Sequence, residues 1–167
     1  MGCEVNHAFA DDSLWEKTVQ VSRSWIGTPY RHMFAARGRG ADCTMFLAKI
    51  FESVGILKMP KIEYYPKDWF IHTDQEIVLE GLASAIKHSI TNGFYAEMFR
   101  FEGQEFLRGD LLCFALNKNG ITNHAGMWLE DSRIIHSINN RGVSILTYRP
   151  ALWNHRLTNI FRVYKGE

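Results

Sequence analysis

Cys43 stands where a glycine-rich turn, Arg37-Gly38-Arg39-Gly40, gives way to the apolar run Met45-Phe46-Leu47. A thiol at a helix start faces unpaired backbone N–H groups and the positive end of the helix dipole. Both favour the thiolate, which is the nucleophilic form. Two histidines far along the chain, His124 and His136, fall on what read as neighbouring strands. A neutral His124 within reach of Cys43 would take its proton and leave a thiolate–imidazolium pair. His136 would then hold the other ring nitrogen of His124, fixing its tautomer and orientation. Together these three residues are the raw material of a cysteine hydrolase.

The elements that must position them can be read from pattern. A first helix is predicted from about Asp12 to Trp25, capped by Asp11, Asp12 or Ser13, and ended by Gly27-Thr28-Pro29-Tyr30. The segment 37–40 reads as a loop. A second helix runs from about Asp42 to Val54 and stops at Gly55. Leu47, Ile50, Phe51 and Val54 share the face that begins at Cys43, so packing would fix the thiol's position. Tyr64-Tyr65-Pro66-Lys67-Asp68-Trp69 reads as an aromatic loop, with Tyr65 and Trp69 taken as packing residues. Thr73-Asp74-Gln75-Glu76 has the spacing of a capping box that opens a helix to about Ile90. Phe94 to Phe101 fits either strand or loop.

From Gly109 onward the pattern is β. Strands are predicted at Asp110 to Leu116, Ile121 to Leu129, Ile134 to Ile138, Val143 to Tyr148 and Asn159 to Tyr164. Turns fall at Asn117-Lys118-Asn119-Gly120 and Asn139-Asn140-Arg141-Gly142. Helices followed by an antiparallel meander make an α+β domain. Alternation places His124 on a face with Thr122, Gly126 and Trp128, and His136 on a face with Ile134 and Ile138. The two positions have an even sum centred on Glu130. They share a face only if the connection has an odd number of residues or a bulge corrects the parity.

With 167 residues, the chain is expected to form one domain with a sizeable core. A formal net charge of +1 points away from nucleic acid and anionic membranes as partners. Three cysteines, Cys3, Cys43 and Cys113, give neither a disulfide framework nor a Cys-x-x-Cys zinc pair. Cys113 sits in an apolar run and reads as a core thiol, and Cys3 is assigned to a mobile terminus. No integral membrane segment and no intact secretion signal are read. Asn6 stands where myristoylation wants Ser or Thr. The expectation is cytoplasmic synthesis, followed by incorporation into a phage-like particle or delivery to the periplasm or cell wall.

Five blocks occur in order: Gly27-Thr28-Pro29-Tyr30, Asp42-Cys43, Gly109-Asp110-Leu111-Leu112-Cys113-Phe114, Asn123-His124-Ala125-Gly126-Met127-Trp128 and Ile134-Ile135-His136-Ser137. On these the chain resembles the NlpC/P60 family of cysteine peptidases, papain-like enzymes that cut bacterial cell-wall peptides. The resemblance implies a papain-like α+β fold over 1–167, with about 58–107 as a family-variable middle segment. It implies Cys43 as nucleophile, His124 as base and His136 as third member. It also implies Tyr30 beside the cysteine with its hydroxyl near the oxyanion site, where the Cys43 N–H is another donor. Asp42 and Thr44, which flank the nucleophile, join Tyr30 as the expected substrate- or oxyanion-binding residues. No cofactor and no metal are implied, although His124, His136 and Cys43 are zinc-type ligands.

Two departures stand out. Thr44-Met45 replaces the usual Ser-Gly after the cysteine, and the middle segment is longer than in the plain cell-wall enzymes. Both resemble the branch found in bacteriophages, prophages and phage-like particles, where the protein is tail-associated. The expected partner is a peptidoglycan stem peptide, with phage-like tail proteins as further partners. The competing readings are a non-catalytic tail component of the same fold, and a thiol acyltransferase or toxin-like amidase.

Overall fold

A computed structural model describes residues 6–167; Cys3 lies outside them. The first helical stripe forms α1, Asp12–Arg23, with Trp15, Thr18 and Ser22 buried. Asp11 is its cap, accepting from the Leu14 N–H at 3.1 Å. The predicted loop at 37–40 is tighter than expected, because β1 (Ala35–Ala36) and β2 (Gly40–Ala41) pair antiparallel around it. Helix α2, Cys43–Ser53, follows at once and ends before Gly55.

Residues 58–66 carry no regular structure. After them come α3, Trp69–His72, and α4, Ile77–His88. The expected capping box is not formed. The Thr73 hydroxyl donates back to the Trp69 carbonyl at 3.2 Å, so it closes α3 rather than opening α4. Glu76 reaches away to accept from the Thr122 N–H at 2.9 Å. The spacing was right, but each side chain found a partner that sequence distance does not show.

Six strands make the main sheet: β3 (Phe94–Arg100), β4 (Leu111–Phe114), β5 (His124–Trp128), β6 (Arg133–Ile138), β7 (Gly142–Thr147) and β8 (Leu157–Lys165). A short helix α5, Pro150–Trp153, precedes β8. The spatial order is β3-β8-β4-β5-β6-β7. The predicted meander holds for β4 to β7, but β8 crosses back to lie between β3 and β4. Segment 94–101 is a strand because β8 pairs along its whole length, from Phe94 with Lys165 to Arg100 with Asn159. Strand β5 starts later than alternation suggests. Asn117 Oδ1 takes the Asn119 and Ile121 N–H groups and Glu76 takes that of Thr122, leaving no ladder for those residues.

The core lies between α2 and the sheet. Phe46, Leu47, Ile50 and Phe51 pack with Leu111, Ala125, Met127 and Ile135, and α1 backs onto the same cluster. The architecture is α+β. No helix among the described residues is long and apolar enough to cross a membrane. At the start of β4, the buried Asp110 carboxylate takes two bonds from Arg162, at 2.8 and 2.7 Å, and one from the Leu107 N–H at 2.8 Å. A buried charge needs that degree of pairing.

Candidate active site

Cys43 is the first residue of α2, and Asp42 holds it there. Asp42 Oδ1 accepts from the N–H groups of Thr44 and Met45 at 3.0 and 2.7 Å, and from the Thr44 hydroxyl at 3.2 Å. Its Oδ2 accepts from the Met33 N–H at 2.8 Å. Both carboxylate oxygens are thus engaged by the protein itself. The N–H of Cys43 has no acceptor among the described residues.

Two strands carry the histidines to this helix start. Gly126 lies opposite His136 in the β5–β6 register, and five residues connect Trp128 to its partner Ile134. The connection is odd, so His124 and His136 share a face. They are diagonal neighbours rather than an opposed pair. His124 Nε2 lies 2.9 Å from His136 Nδ1. A Cβ on Gly126 would sit 3.2 Å from both the His136 Cβ and the Ile135 carbonyl oxygen, so the missing side chain lets the two strands pack closely at His136. One strand residue further, the Ser137 hydroxyl donates to the Ala41 carbonyl at 2.6 Å. That bond ties β6 to the chain just ahead of Cys43.

Tyr30 is placed chiefly by backbone bonds around it, with the Thr28 hydroxyl accepting from the Gly38 N–H at 2.9 Å. Gly27 donates to the Val143 carbonyl at 3.0 Å, and Val143 donates to the Thr28 carbonyl at 2.8 Å. Ala41 donates to the Pro29 carbonyl at 2.9 Å, and Arg31 to the Ala41 carbonyl at 3.2 Å. Gly142 sits at the contact with φ +71, where a Cβ would lie 2.2 Å from the Thr28 oxygen. The block Gly27-Thr28-Pro29-Tyr30 is therefore an extra strand-like segment clasped between β7 and β2, not merely a helix stop.

Cys43 and His124 line one cleft of about 490 Å³, together with Tyr30, His32, Asn123 and Ser137. His136 stands behind His124 and does not line it. Thr44 lines a second, neighbouring cavity instead. The aromatic loop forms the far wall of the cleft. There Lys67 Nζ lies 5.0 Å from the Tyr30 ring centroid. His32 Nε2 is hydrogen-bonded to the Tyr65 carbonyl at 2.8 Å. Tyr65, expected only to pack, faces the cleft, and Ser137 and Gly126, which carry no signal of a role in the sequence, belong to the site's frame. A Tyr-Pro pair in a long loop near the nucleophile was the one available signal.

Burial governs the charge state. The Cys43 thiol, only 8% exposed, is pushed up to about 12 by desolvation and then by the Asp42 carboxylate. Desolvation, and then His136, holds His124 down at about 3. Desolvation, and then Arg141, holds His136 down at about 4. Burial raises the Tyr30 phenol and the Asp42 carboxyl. Burial thus works against the expected thiolate–imidazolium pair in the unliganded protein. The helix start favours the thiolate, but removing the thiol from water outweighs it.

A sequence model of the NlpC/P60 family matches residues 27–162. The chain is 23% identical over 145 residues to a "Probable endopeptidase NlpC homolog" of Haemophilus influenzae, covering 87% of this chain and 61% of that protein. An NlpC/P60 family protein of Bacillus cereus superposes with a TM-score of 0.55 at 21% identity, covering 87% of this chain and 39% of that one. A Staphylococcus aureus protein described as similar to lipoprotein, NLP/P60 family, gives 0.57 at 17% identity, covering 99% and 46%. The NlpC/p60 domain of the peptidoglycan hydrolase SagA gives 0.51 at 18% identity, covering 87% and 97%. These likenesses establish the fold. The chain spans about three-fifths of the Haemophilus protein and less than half of the Bacillus and Staphylococcus ones.

Proposed function

The chain belongs to the NlpC/P60 family, and from that premise we propose that it is a cysteine peptidase or amidase acting on peptide bonds of bacterial peptidoglycan stems. The observation that carries this reading is the shared cleft of Cys43 and His124, with His136 hydrogen-bonded to His124 from behind at 2.9 Å. When His136 Nδ1 accepts that bond, His124 carries its proton on Nε2 and leaves Nδ1 bare. That is the form able to take the Cys43 proton. Because burial favours the neutral pair, the proton moves to His124 as sulfur attacks the carbonyl carbon.

The tetrahedral oxyanion would meet the free N–H of Cys43 and the hydroxyl of Tyr30. His124, now imidazolium, returns its proton to the leaving amine. Water, deprotonated by the same ring, then releases the acyl group from Cys43. Asp42 acts on this chemistry through the helix start it caps. The family-variable segment roofs the cleft, and with Thr44-Met45 it supports placing the chain in the tail-associated phage-like branch.

The test is digestion of purified peptidoglycan, with products identified by mass spectrometry. Release of stem-peptide fragments by the native chain, and none by Cys43→Ala, is the expected result. Undiminished release by Cys43→Ala would remove the reading.

A further inference from the structure

Beside the cleft lies a cavity of about 500 Å³ that the proposed chemistry does not use. Its walls include Leu47 and Phe51 of α2, Val78 and Leu82 of α4, and Leu111 and Phe161 of the sheet. It opens to solvent past Lys61, Tyr64 and Glu80, and its size is on the scale of a ligand site. It reaches the nucleophile's surroundings through Thr44 and Ala125, which both line it.

Three residues face both this cavity and the cleft: Tyr65, Trp69 and Val78. Two of them are fixed. Trp69 is buried and its Nε1–H donates to the Gln75 carbonyl at 3.0 Å, and Val78 is buried on α4. Tyr65 alone belongs to the irregular segment 58–66. It is held by few contacts: His32 Nε2 on its carbonyl at 2.8 Å, its N–H on Met33 Sδ at 3.5 Å, and ring edges against His32 and Trp69 at 5.0 and 5.2 Å. Its phenol is raised by burial and then by the nearby Asp42 carboxylate, and it lies within reach of the Thr44 hydroxyl.

From this we infer that Tyr65 is a specificity-determining residue. Its ring is the partition that keeps apolar groups of a substrate out of the cavity and confines the cleft to small polar ones. The inference rests on Cys43 being the nucleophile, as proposed above.

Alkylation at Cys43 Sγ, which releases iodide and the thiol proton, reads the partition without any peptide. The probes are iodoacetamide and its N-phenethyl derivative, with mass spectrometry to separate Cys43 from Cys113. In the native chain the bulky probe should be disfavoured. Tyr65→Ala should raise the bulky-to-small rate ratio at Cys43 about tenfold or more, the worth of burying one phenyl-sized group. Tyr65→Phe keeps the ring and should leave the ratio unchanged. Tyr65→Leu, a milder change if the alanine variant folds poorly, should fall between.

An unchanged ratio in Tyr65→Ala and Tyr65→Leu, with Cys43 still reactive, overturns the partition alone. A Cys43 no more reactive than Cys113 overturns the nucleophile reading instead. N-phenethylacetamide, titrated against Cys43→Ala with and without Tyr65→Ala, tests the wall independently of the thiol. Methyl shifts at Leu47 and Leu111 are expected only in the double variant, and their absence there overturns the partition.

Discussion

His124 and His136 meet on the diagonal of their hairpin, 2.9 Å apart, because the residue directly opposite His136 is Gly126. A side chain there would press on the His136 Cβ and the Ile135 oxygen, on the strand that carries His136. The contact between the two histidines is thus controlled by a third residue that has no chemistry of its own.

Gly126→Ala is therefore expected to damage activity more than stability. A Cβ held 3.2 Å from the His136 Cβ and the Ile135 oxygen must push strand or ring aside. Overpacking of this kind costs ~1–3 kcal/mol. The neighbours must yield by a few tenths of an ångström, which moves His136 against His124 and is expected to lower the rate by about tenfold, short of the roughly 100-fold that a 1 Å misplacement costs. Urea unfolding and kcat/KM on a stem peptide, measured on one preparation, separate the two effects. A variant with native kcat/KM would show that the diagonal contact does not matter.

Gly142→Ala should be among the most destabilising single changes in the chain. It forces an alanine into a left-handed conformation at φ +71 and drives a methyl to 2.2 Å from the Thr28 oxygen. The expected cost exceeds about 3 kcal/mol, because neither backbone can yield without breaking the clasp on Tyr30. The midpoint of urea unfolding checks it. A loss under about 0.5 kcal/mol, the scale of an unremarkable surface change, would contradict the clasp.

Asp42→Asn and Asp42→Ala should part company. Asparagine keeps the Oδ1 cap of α2 but sets a donor against the part-buried Met33 N–H, at a cost of about 1–3 kcal/mol, while alanine loses the cap, about 1–2 kcal/mol, as well. Both remove a negative charge beside the thiol, and that charge pushes the Cys43 pKa up. Alkylation of Cys43 at fixed alkaline pH should be faster in Asp42→Asn than in the native chain. A slower rate would reverse the sign of the argument.

The buried histidines predict how stability varies with pH. His124 and His136 take up a proton near the ordinary 6.5 when unfolded, but only near 3 and 4 when folded. Between those limits the unfolded chain holds more protons. Their contribution is therefore full above about pH 6.5 and is lost as pH falls toward 4, by up to ~2 kcal/mol per residue between pH 6.5 and 5. Asp42, whose carboxyl is raised, acts in the opposite sense. His136→Asn should flatten the drop in urea midpoint between about pH 7 and pH 5. An undiminished drop would mean that His136 is not neutral when folded.

Much of this site is legible from residue order. Asp42 announces the start of α2, and the stripe Leu47, Ile50, Phe51 does face the core as its spacing implies. The even sum of His124 and His136 left two ways to a shared face, an odd connection or a bulge, and the five residues after Trp128 supply the first. What stayed hidden depends on partners distant in sequence. Thr73 and Glu76 have the spacing of a capping box, but one turns back to Trp69 and the other reaches Thr122. Tyr65 looks like any loop aromatic until its segment is laid across the cleft. Helix-start chemistry is local, whereas burial is a property of the whole fold, and the two act in opposite directions on Cys43.

The position of β8 bears on when the protein becomes competent. Leu157–Lys165 fills the slot between β3 and β4, so edge strand β3 is cut off from the rest of the sheet until those residues are made. The nucleophile helix, the two histidine strands and the Tyr30 clasp are all synthesised earlier. They nevertheless wait on a strand that binds β3 along its full length and supplies Arg162 to the buried Asp110. Pairings this distant in sequence form late in folding. A ribosome-bound chain stopped short of residue 157 would hold every residue of the proposed chemistry and still lack the platform that aligns them.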